Sequence, residues 1–177
     1  MFIPIEAAES KIKRGNKIMN NYDSEKDTRK HKEMVAYCIS ILTSKLDYRA
    51  GVHDNSKLES PEKELFDEYT PKLKDCTYGS DEYKEFLKGL NIALEHHYKE
   101  NSHHPEHYEN GIDGMDLIDL VEMICDWMSA SKRHADGNIY NSLKINKKRF
   151  NMSEQLVNIL KNTVDRYFQE VIDMKYE

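Results

Sequence analysis

The chain has 177 residues, enough for one domain with a buried core, and its 38% hydrophobic and 33% charged residues favour a compact helical protein. The net charge of −6 argues against a nucleic-acid coat or a polybasic membrane-surface protein, because no broad cationic field is present to attract phosphates. The three cysteines form no CxxC pair, which argues against a disulfide framework or a zinc ribbon.

The helical domain is predicted over residues 28–177, after a polar lead-in over residues 1–27. Its first helix is expected to run to about Tyr48, because apolar residues recur there at helical spacing. His31 lies one turn before this apolar stripe and is therefore predicted to face inward with it. The stripe consists of Val35, Ile39, Leu42 and Leu46.

A later helix that ends in "LEHHYKEN" is predicted to place one of two adjacent histidines in the core. Its leucines recur at helical spacing, and the next position of that stripe is His97. His96 lies about 100° further round the helix and is expected to be exposed or to touch a substrate. The following loop, "SHHPEH", offers His103 and His104. We favour His104 as a ligand, although periodicity cannot decide the geometry of a loop.

The segment "MDLIDLVEMICDWMSASKR" is predicted to be a central helix, because apolar residues cover most of its circumference. Its remaining stripe carries Asp119, Glu122 and Asp126 and ends at Arg133. Carboxylates on so apolar a helix need partners when they are buried. A last amphipathic helix begins near Asn151, and no strand pattern of useful length occurs. The predicted fold is all-α, a single-domain helical bundle.

These segments contain the parts of one metal-binding constellation. The motif "VHDNSK" joins a histidine to an aspartate, and the full order along the chain is His, His-Asp, His, His and Asp. This order resembles that of the two-metal members of the HD-domain superfamily of metal-dependent phosphohydrolases, over residues 28–135. The motifs "HDNSKL", "NSHHPEH" and "DLVEMICDW" most resemble a group of bacterial and phage HD-like proteins that has no established activity.

The resemblance implies a centre of two divalent transition-metal ions, bridged by Asp54, which would also be catalytic. Imidazoles and carboxylates suit Fe, Mn, Co, Ni or Zn, and the sequence does not distinguish these ions or show whether one or two are bound. The metal ligands implied by the resemblance are His31, His53, Asp54, His97, His104 and Asp126.

Further residues are predicted to lie around the metals. Lys57 matches the lysine of the family's "HDxxK" motif and would act in catalysis by facing the substrate phosphate. Arg133 and His96 would contact the substrate as well. Glu122 and His103 would support ligand histidines through hydrogen bonds. The structural alternative is a set of core histidines that are hydrogen-bonded to buried acids.

Three functions fit this pattern. The first is hydrolysis of a nucleotide or a related phosphoester by a water that the metal activates, and Lys57 favours it because a phosphate needs a cation. The second is an oxygenase with two irons acting on a small polar substrate, since such HD proteins carry four histidines and two aspartates in the same order. The third is a non-catalytic acidic protein that binds a partner through an apolar patch.

The expected location is the cytoplasm. No apolar run approaches the roughly 18 residues of a membrane span, and the N-terminus lacks the apolar segment of a secretory signal. We therefore expect a small-molecule phosphoester as the substrate, with neither a membrane nor duplex nucleic acid as a partner. The sequence leaves the oligomeric state open.

Overall fold

The computed structural model describes residues 22–75, 81–132 and 137–174, which form helices and turns without a strand. The prediction of an all-α fold is thereby confirmed. None of the described helices has the length and apolar character needed to cross a membrane. Helices α1 to α7 span Ser24–Val52, Glu62–Asp75, Asp81–Glu100, Leu117–Ser131, Ile139–Arg149, Glu154–Tyr167 and Gln169–Asp173.

Helix α1 begins earlier than the sequence predicted, because Asp23 caps it. The Oδ1 atom of Asp23 accepts hydrogen bonds from the backbone N–H groups of Glu25 and Lys26, at 3.1 and 3.2 Å. The chain divides into two compact units, Met1–Leu42 and Thr43–Glu177, so the boundary between the units falls within α1.

The apolar stripe of α1 is exposed, although the sequence predicted that it would be buried. Val35, Ile39 and Leu42 expose 42, 58 and 45% of their surface, and His31 is exposed as well. The described residues of the first unit form only the N-terminal part of α1, so no second layer of that unit covers the stripe. No described residue of its own unit therefore covers His31. Helical spacing identifies a stripe but not a partner for it.

The hydrophobic core of the second unit lies among α4, α5 and α6. Trp127 of α4 stacks on Phe150, with ring centroids 6.2 Å apart and planes within 9° of parallel. Side-chain caps start the two other helices, Asn138 for α5 and Ser153 for α6. This core fixes α4, which carries the acidic stripe. Its other buried members are Met123, Ile124, Met128, Ile139, Leu143, Met152, Leu160 and Val164.

Helices α2 and α3 approach each other at Gly89. Tyr69 of α2 lies over this glycine, and a Cβ atom at position 89 would fall 2.3 Å from Cζ of Tyr69. The same tyrosine contacts Phe86, with ring centroids 6.2 Å apart. This contact bears on the histidine cluster, because α2 begins with Glu62 and α3 carries His97.

We expect Gly89→Ala to lower the free energy of unfolding by about 1–3 kcal/mol, because Tyr69 must move to admit the methyl group. Each kcal/mol corresponds to roughly 2–4 °C in Tm for a chain of this size. Gly51→Ala is the matched control, since a Cβ atom there meets nothing within 4 Å. Alanine at position 51 of α1 should be neutral or stabilise by up to about 1 kcal/mol. Equal Tm values for the two variants would contradict the packing described for Gly89.

Candidate metal centre

The turn after α1 places His53 and Asp54 side by side. Asp54 has φ 56° and ψ 18°, a left-handed conformation that aspartate adopts more readily than most residues. Helix α1 ends there, and a 3₁₀ turn over Asn55–Leu58 follows. The turn brings Nζ of Lys57 to 2.6 Å from Oδ2 of Asp54. The other oxygen, Oδ1, therefore remains available to the histidines of α3 and of the loop after it.

Four ligand atoms converge in what we call the primary group, formed by Asp54, His97, His103 and His104. Asp54 Oδ1 lies 3.3 Å from Nε2 of His97 and 3.5 Å from Nε2 of His103. The Nε2 atoms of His97 and His104 are 2.9 Å apart. Ligand atoms that bind one ion at about 2.1 Å lie roughly 3.0–3.5 Å from one another, so these spacings suit a single ion.

Two of these atoms give a further indication that the primary group binds a cation. Asp54 Oδ1 and His103 Nε2 are buried, and neither has a hydrogen-bond partner of good geometry among the described residues. Buried polar atoms nearly always have such partners, since an unsatisfied one costs about 1–3 kcal/mol. The residues of the primary group therefore fit a bound cation.

Two buried glutamates accept hydrogen bonds from the Nδ1 atoms of the histidines. Glu62 is fully buried and accepts a hydrogen bond from Nδ1 of His97 at 2.9 Å. Glu122 accepts from Nδ1 of His103 at 3.1 Å and from Nδ1 of His53 at 2.8 Å. An ionised carboxylate only accepts hydrogen bonds, so the Nδ1 atoms carry the protons. The Nε2 atoms of His97 and His103 then present lone pairs to the primary group.

Asp54 also belongs to a second and more exposed set of ligand atoms, which we call the secondary group: His53, Asp54 and Asp126. Nε2 of His53 lies 3.5 Å from Oδ2 of Asp54 and 3.8 Å from Oδ1 of Asp126. The His53 side chain is 31% exposed, whereas those of His97 and His103 are 2 and 1% exposed. Asp54 thus offers one oxygen to each group, as a carboxylate that bridges two ions does.

The centre carries more negative than positive charge. Its permanent cations are Lys57 and Arg49, and Arg49 is already engaged, with Nε 2.5 Å from Glu122 and Nη2 3.1 Å from Asp119. In the metal-binding form, in which every imidazole is neutral, the formal charge is −5 + 2 = −3, and divalent cations would compensate it. The five carboxylates are Asp54, Glu62, Asp119, Glu122 and Asp126.

The histidines of the two groups differ in pKa. The neighbouring carboxylate of Asp126, 3.8 Å away, and the hydrogen bond to Glu122 stabilise the imidazolium of His53 and raise its pKa to about 10. Burial, together with the neighbouring His103, lowers the pKa of His104 to about 3. His104 is therefore neutral and able to bind a cation at neutral pH, whereas His53 must first lose a proton.

The carboxylates of the secondary group are held ionised. Burial opposes the charge of Asp54, but the ammonium of Lys57, 2.6 Å from Oδ2, outweighs this effect and keeps its pKa below the usual range. Burial likewise opposes ionisation of Asp126, and the neighbouring imidazolium of His53, 3.8 Å away, lowers the pKa of that carboxyl. Both aspartates are thus in the form that binds cations at neutral pH.

Metal affinity of the secondary group is expected to rise with pH. A cation on Nε2 of His53 displaces a proton whose pKa is about 10, so below that pH the affinity should increase about tenfold per pH unit. His104, whose pKa is lowered to about 3, adds no pH dependence to the metal affinity above that pH. Metal titrations at pH 6, 7 and 8 would measure the slope, and His53→Gln should remove it. A second ion whose affinity does not change with pH would contradict this assignment.

Five of the six predicted ligands meet in the two groups, and the sixth, His31, belongs to the first unit. His103 was expected to support a ligand, but its own Nε2 lies in the primary group, and its ring centroid is 4.2 Å from that of His104. The predicted choice between the two loop histidines is therefore replaced by a group that contains both. Arg133 lies outside the described residues. The predicted ligands that do meet are His53, Asp54, His97, His104 and Asp126.

The other predicted residues also lie around the groups. Lys57 is paired with Asp54, and its ammonium lies 5.9 Å from the centroid of the Phe66 ring. Nδ1 of His96 lies 2.8 Å from Oε1 of Glu62, and the histidine also lines a cavity. Glu122 has the hydrogen bonds expected of a residue that orients ligand histidines.

Sequence reasoning missed three contributors, Glu62, Arg49 and Asp119. Asp119 accepts hydrogen bonds from Oγ of Ser102 at 2.7 Å and from the hydroxyl of Tyr108 at 2.6 Å, which ties the histidine loop to α4. Its place on the acidic stripe of α4 was a usable signal. Glu62 had none, because an acid in the first turn of a helix is ordinary and its histidine partner is 35 positions away.

Two cavities flank the centre. The polar cavity, of about 570 Å³, is lined by residues such as Ser56, Glu59, His96 and Asn101. The apolar cavity, of about 400 Å³, lies between residues 46–53, at the end of α1 and the start of the following turn, and helix α4, and it reaches the secondary group. Both volumes are in the range of small-molecule sites.

Over residues 20–166 the chain matches the protein family described as "Family of unknown function (DUF5662)". No curated protein and no solved structure matches the chain. The matched range includes every residue of the primary and secondary groups.

Proposed function

The chain belongs to this family of unknown function, and we propose that it is a metal-dependent phosphohydrolase acting on a nucleotide or a related phosphoester. The observation that carries the proposal is the position of Asp54, whose two oxygens lie in two adjacent ligand groups. Two divalent cations held there would polarise a phosphoryl oxygen and lower the pKa of the attacking water. The ligand types suit Fe, Mn, Co, Ni or Zn.

The chain's own residues support a phosphoester as the substrate. The primary group is buried, so a substrate would approach the more exposed secondary group. Lys57 lies on that side, 33% exposed, with its ammonium on Oδ2 of Asp54. Cations in the centre would neutralise Asp54 and leave Lys57 available to bind a phosphate oxygen. The buried Glu62 and Glu122 would keep the histidine rings fixed during the reaction.

One observation favours a second candidate, an oxygenase with two irons. The two groups contain four histidines and two aspartates, the same inventory that the sequence resemblance gives for such enzymes, although His103 takes the place of His31. Imidazole and carboxylate ligands suit iron as well as the other metals. A small polar substrate would not require Lys57, so we rank this candidate second. The exposed stripe of α1 is the feature that favours a non-catalytic binding protein, which we rank third.

Metal analysis of the purified chain, followed by a panel of phosphoesters with and without oxygen, tests the proposal. We expect about two ions per chain and release of phosphate or a nucleoside product under anaerobic conditions with Mn²⁺ or Co²⁺. Lys57→Ala should reduce hydrolysis more than it reduces metal content, while Lys63→Ala, which removes an exposed surface ion pair, serves as the control. Oxygen consumption that depends on iron, without hydrolysis, would favour the oxygenase instead.

A further inference from the structure

We propose that the apolar cavity between α1 and α4 binds the organic part of the substrate, so that the phosphoester carries an aryl or branched alkyl group. This inference rests on the proposed phosphohydrolase function and adds the class of substrate. The cavity is distinct from the polar cavity and is bounded by the end of α1 and His53 on one side and by α4 on the other.

The apolar cavity lies on the more solvent-exposed side of the metal centre. His53 and Asp126 are 31 and 18% exposed at their side chains, whereas His97 and His103 are almost fully buried. His53 and Asp126 also line the apolar cavity. A phosphoryl group placed on the secondary group would therefore have its substituent directed along the wall that these two residues share with the cavity.

The wall of the apolar cavity favours uncharged, apolar substituents of the substrate. Leu46, Ala50, Val121 and Cys125 supply apolar surface, and Val121 is 40% exposed within it. An aromatic ring or a branched alkyl chain would cover this surface and remove it from water. The volume of about 400 Å³ is large enough for such a group, near the lower end of small-molecule sites.

The charged residues of the wall exclude a long anionic substituent. The guanidinium of Arg49 is engaged by Asp119 at 3.1 Å and by Glu122 at 2.5 Å. Asp47 and Asp126 add negative charge to the same wall. A second or third phosphate in this cavity would meet carboxylates without an unengaged cation among the described lining residues. The cavity therefore favours an apolar substituent over a polyphosphate.

Alkylation of the Cys125 thiol can measure whether the cavity is occupied, and this measurement does not require catalysis. Cys125 lines the cavity and is exposed, and Cys38, exposed on the first unit, gives an internal reference. We would measure alkylation of both cysteines by N-ethylmaleimide in Mn²⁺-loaded protein, with phenylphosphonate or methylphosphonate added. Phenylphosphonate should protect Cys125 at concentrations about 10–100-fold lower than methylphosphonate, because only the phenyl ring buries a large apolar area. Cys38 should react equally in every sample.

A pair of tryptophan variants tests the same point. Ala50→Trp should fill the cavity and abolish the preference for phenylphosphonate while metal content is retained. Ala130→Trp is the matched control on the exposed surface of α4, and it should leave the preference unchanged. Equal protection by the two phosphonates, or none in protein that holds its metal, would overturn the cavity assignment but not the metal centre. Protection by phenylphosphonate in protein that binds no metal would support the cavity and contradict the proposed function.

Discussion

Replacing Asp54 with asparagine is expected to abolish stoichiometric metal binding without a loss of helical content. Asp54 is the residue that the primary and secondary groups share, with Oδ1 3.3 Å from His97 and Oδ2 3.5 Å from His53. Loss of a supporting partner alone weakens metal affinity by about 10–100-fold, so loss of a shared ligand should cost at least about 100-fold. Asparagine tolerates the left-handed backbone at this position, which keeps the effect on the turn small.

The measurement for Asp54→Asn is metal content after dialysis, with circular dichroism as the check on folding. Asp67→Asn is the matched control, because Asp67 is exposed on α2 and its ion pair is with Lys63, 2.5 Å away on the same surface. Surface pairs of this kind contribute little, about 0.3–0.5 kcal/mol. Retention of stoichiometric metal by Asp54→Asn would contradict the shared centre.

Glu62→Gln is expected to weaken metal binding by about 10–100-fold, although Glu62 belongs to neither ligand group. Its carboxylate is fully buried and holds Nδ1 of His97 at 2.9 Å and Nδ1 of His96 at 2.8 Å. The uncharged amide orients His97 less firmly and makes the imidazole a weaker ligand, because it no longer polarises the Nδ1 proton. We therefore assign Glu62 as a positioning residue.

Glu64→Gln provides the control for Glu62→Gln, since Glu64 lies in the same first turn of α2 but is exposed. The two variants should be compared by metal titration and by Tm in the presence of a chelator. A purely structural role for Glu62 would lower the Tm of the metal-free protein and leave the metal affinity of the folded protein unchanged. We expect the opposite result: Glu62→Gln should reduce the metal affinity strongly and change the Tm of the metal-free protein only a little.

The sequence prediction succeeded for residues that lie on regular helices. His97 could be chosen over His96 because both lie on one long helix, where a single residue changes the direction by about 100°. Asp126 could be placed in the same way on α4. The two histidines of the loop could not be separated by such arithmetic, and the structure brings both His103 and His104 to the same ion-sized group.

The failures have a common physical cause, which is contact between distant segments. His31 extends a genuine apolar stripe, but the stripe is exposed, and spacing alone does not reveal whether another element covers it. Glu62 and Arg49 act through partners far away in the sequence, His97 and Glu122 respectively. One sequence contains no periodic signal for either pairing, so only the folded arrangement identifies them.

The turn at Asp54 has a consequence for how the chain unfolds. The ligands on either side of it come from the turn after α1, from α3, from the following loop and from α4, so two ions that share Asp54 would together act as a reversible cross-link among four segments. Such a link raises the resistance of the fold to heat by mass action, about 4.1 kcal/mol when free metal exceeds Kd a thousandfold. The metal supply of the cell would then set the lifetime of the folded chain as well as its chemistry.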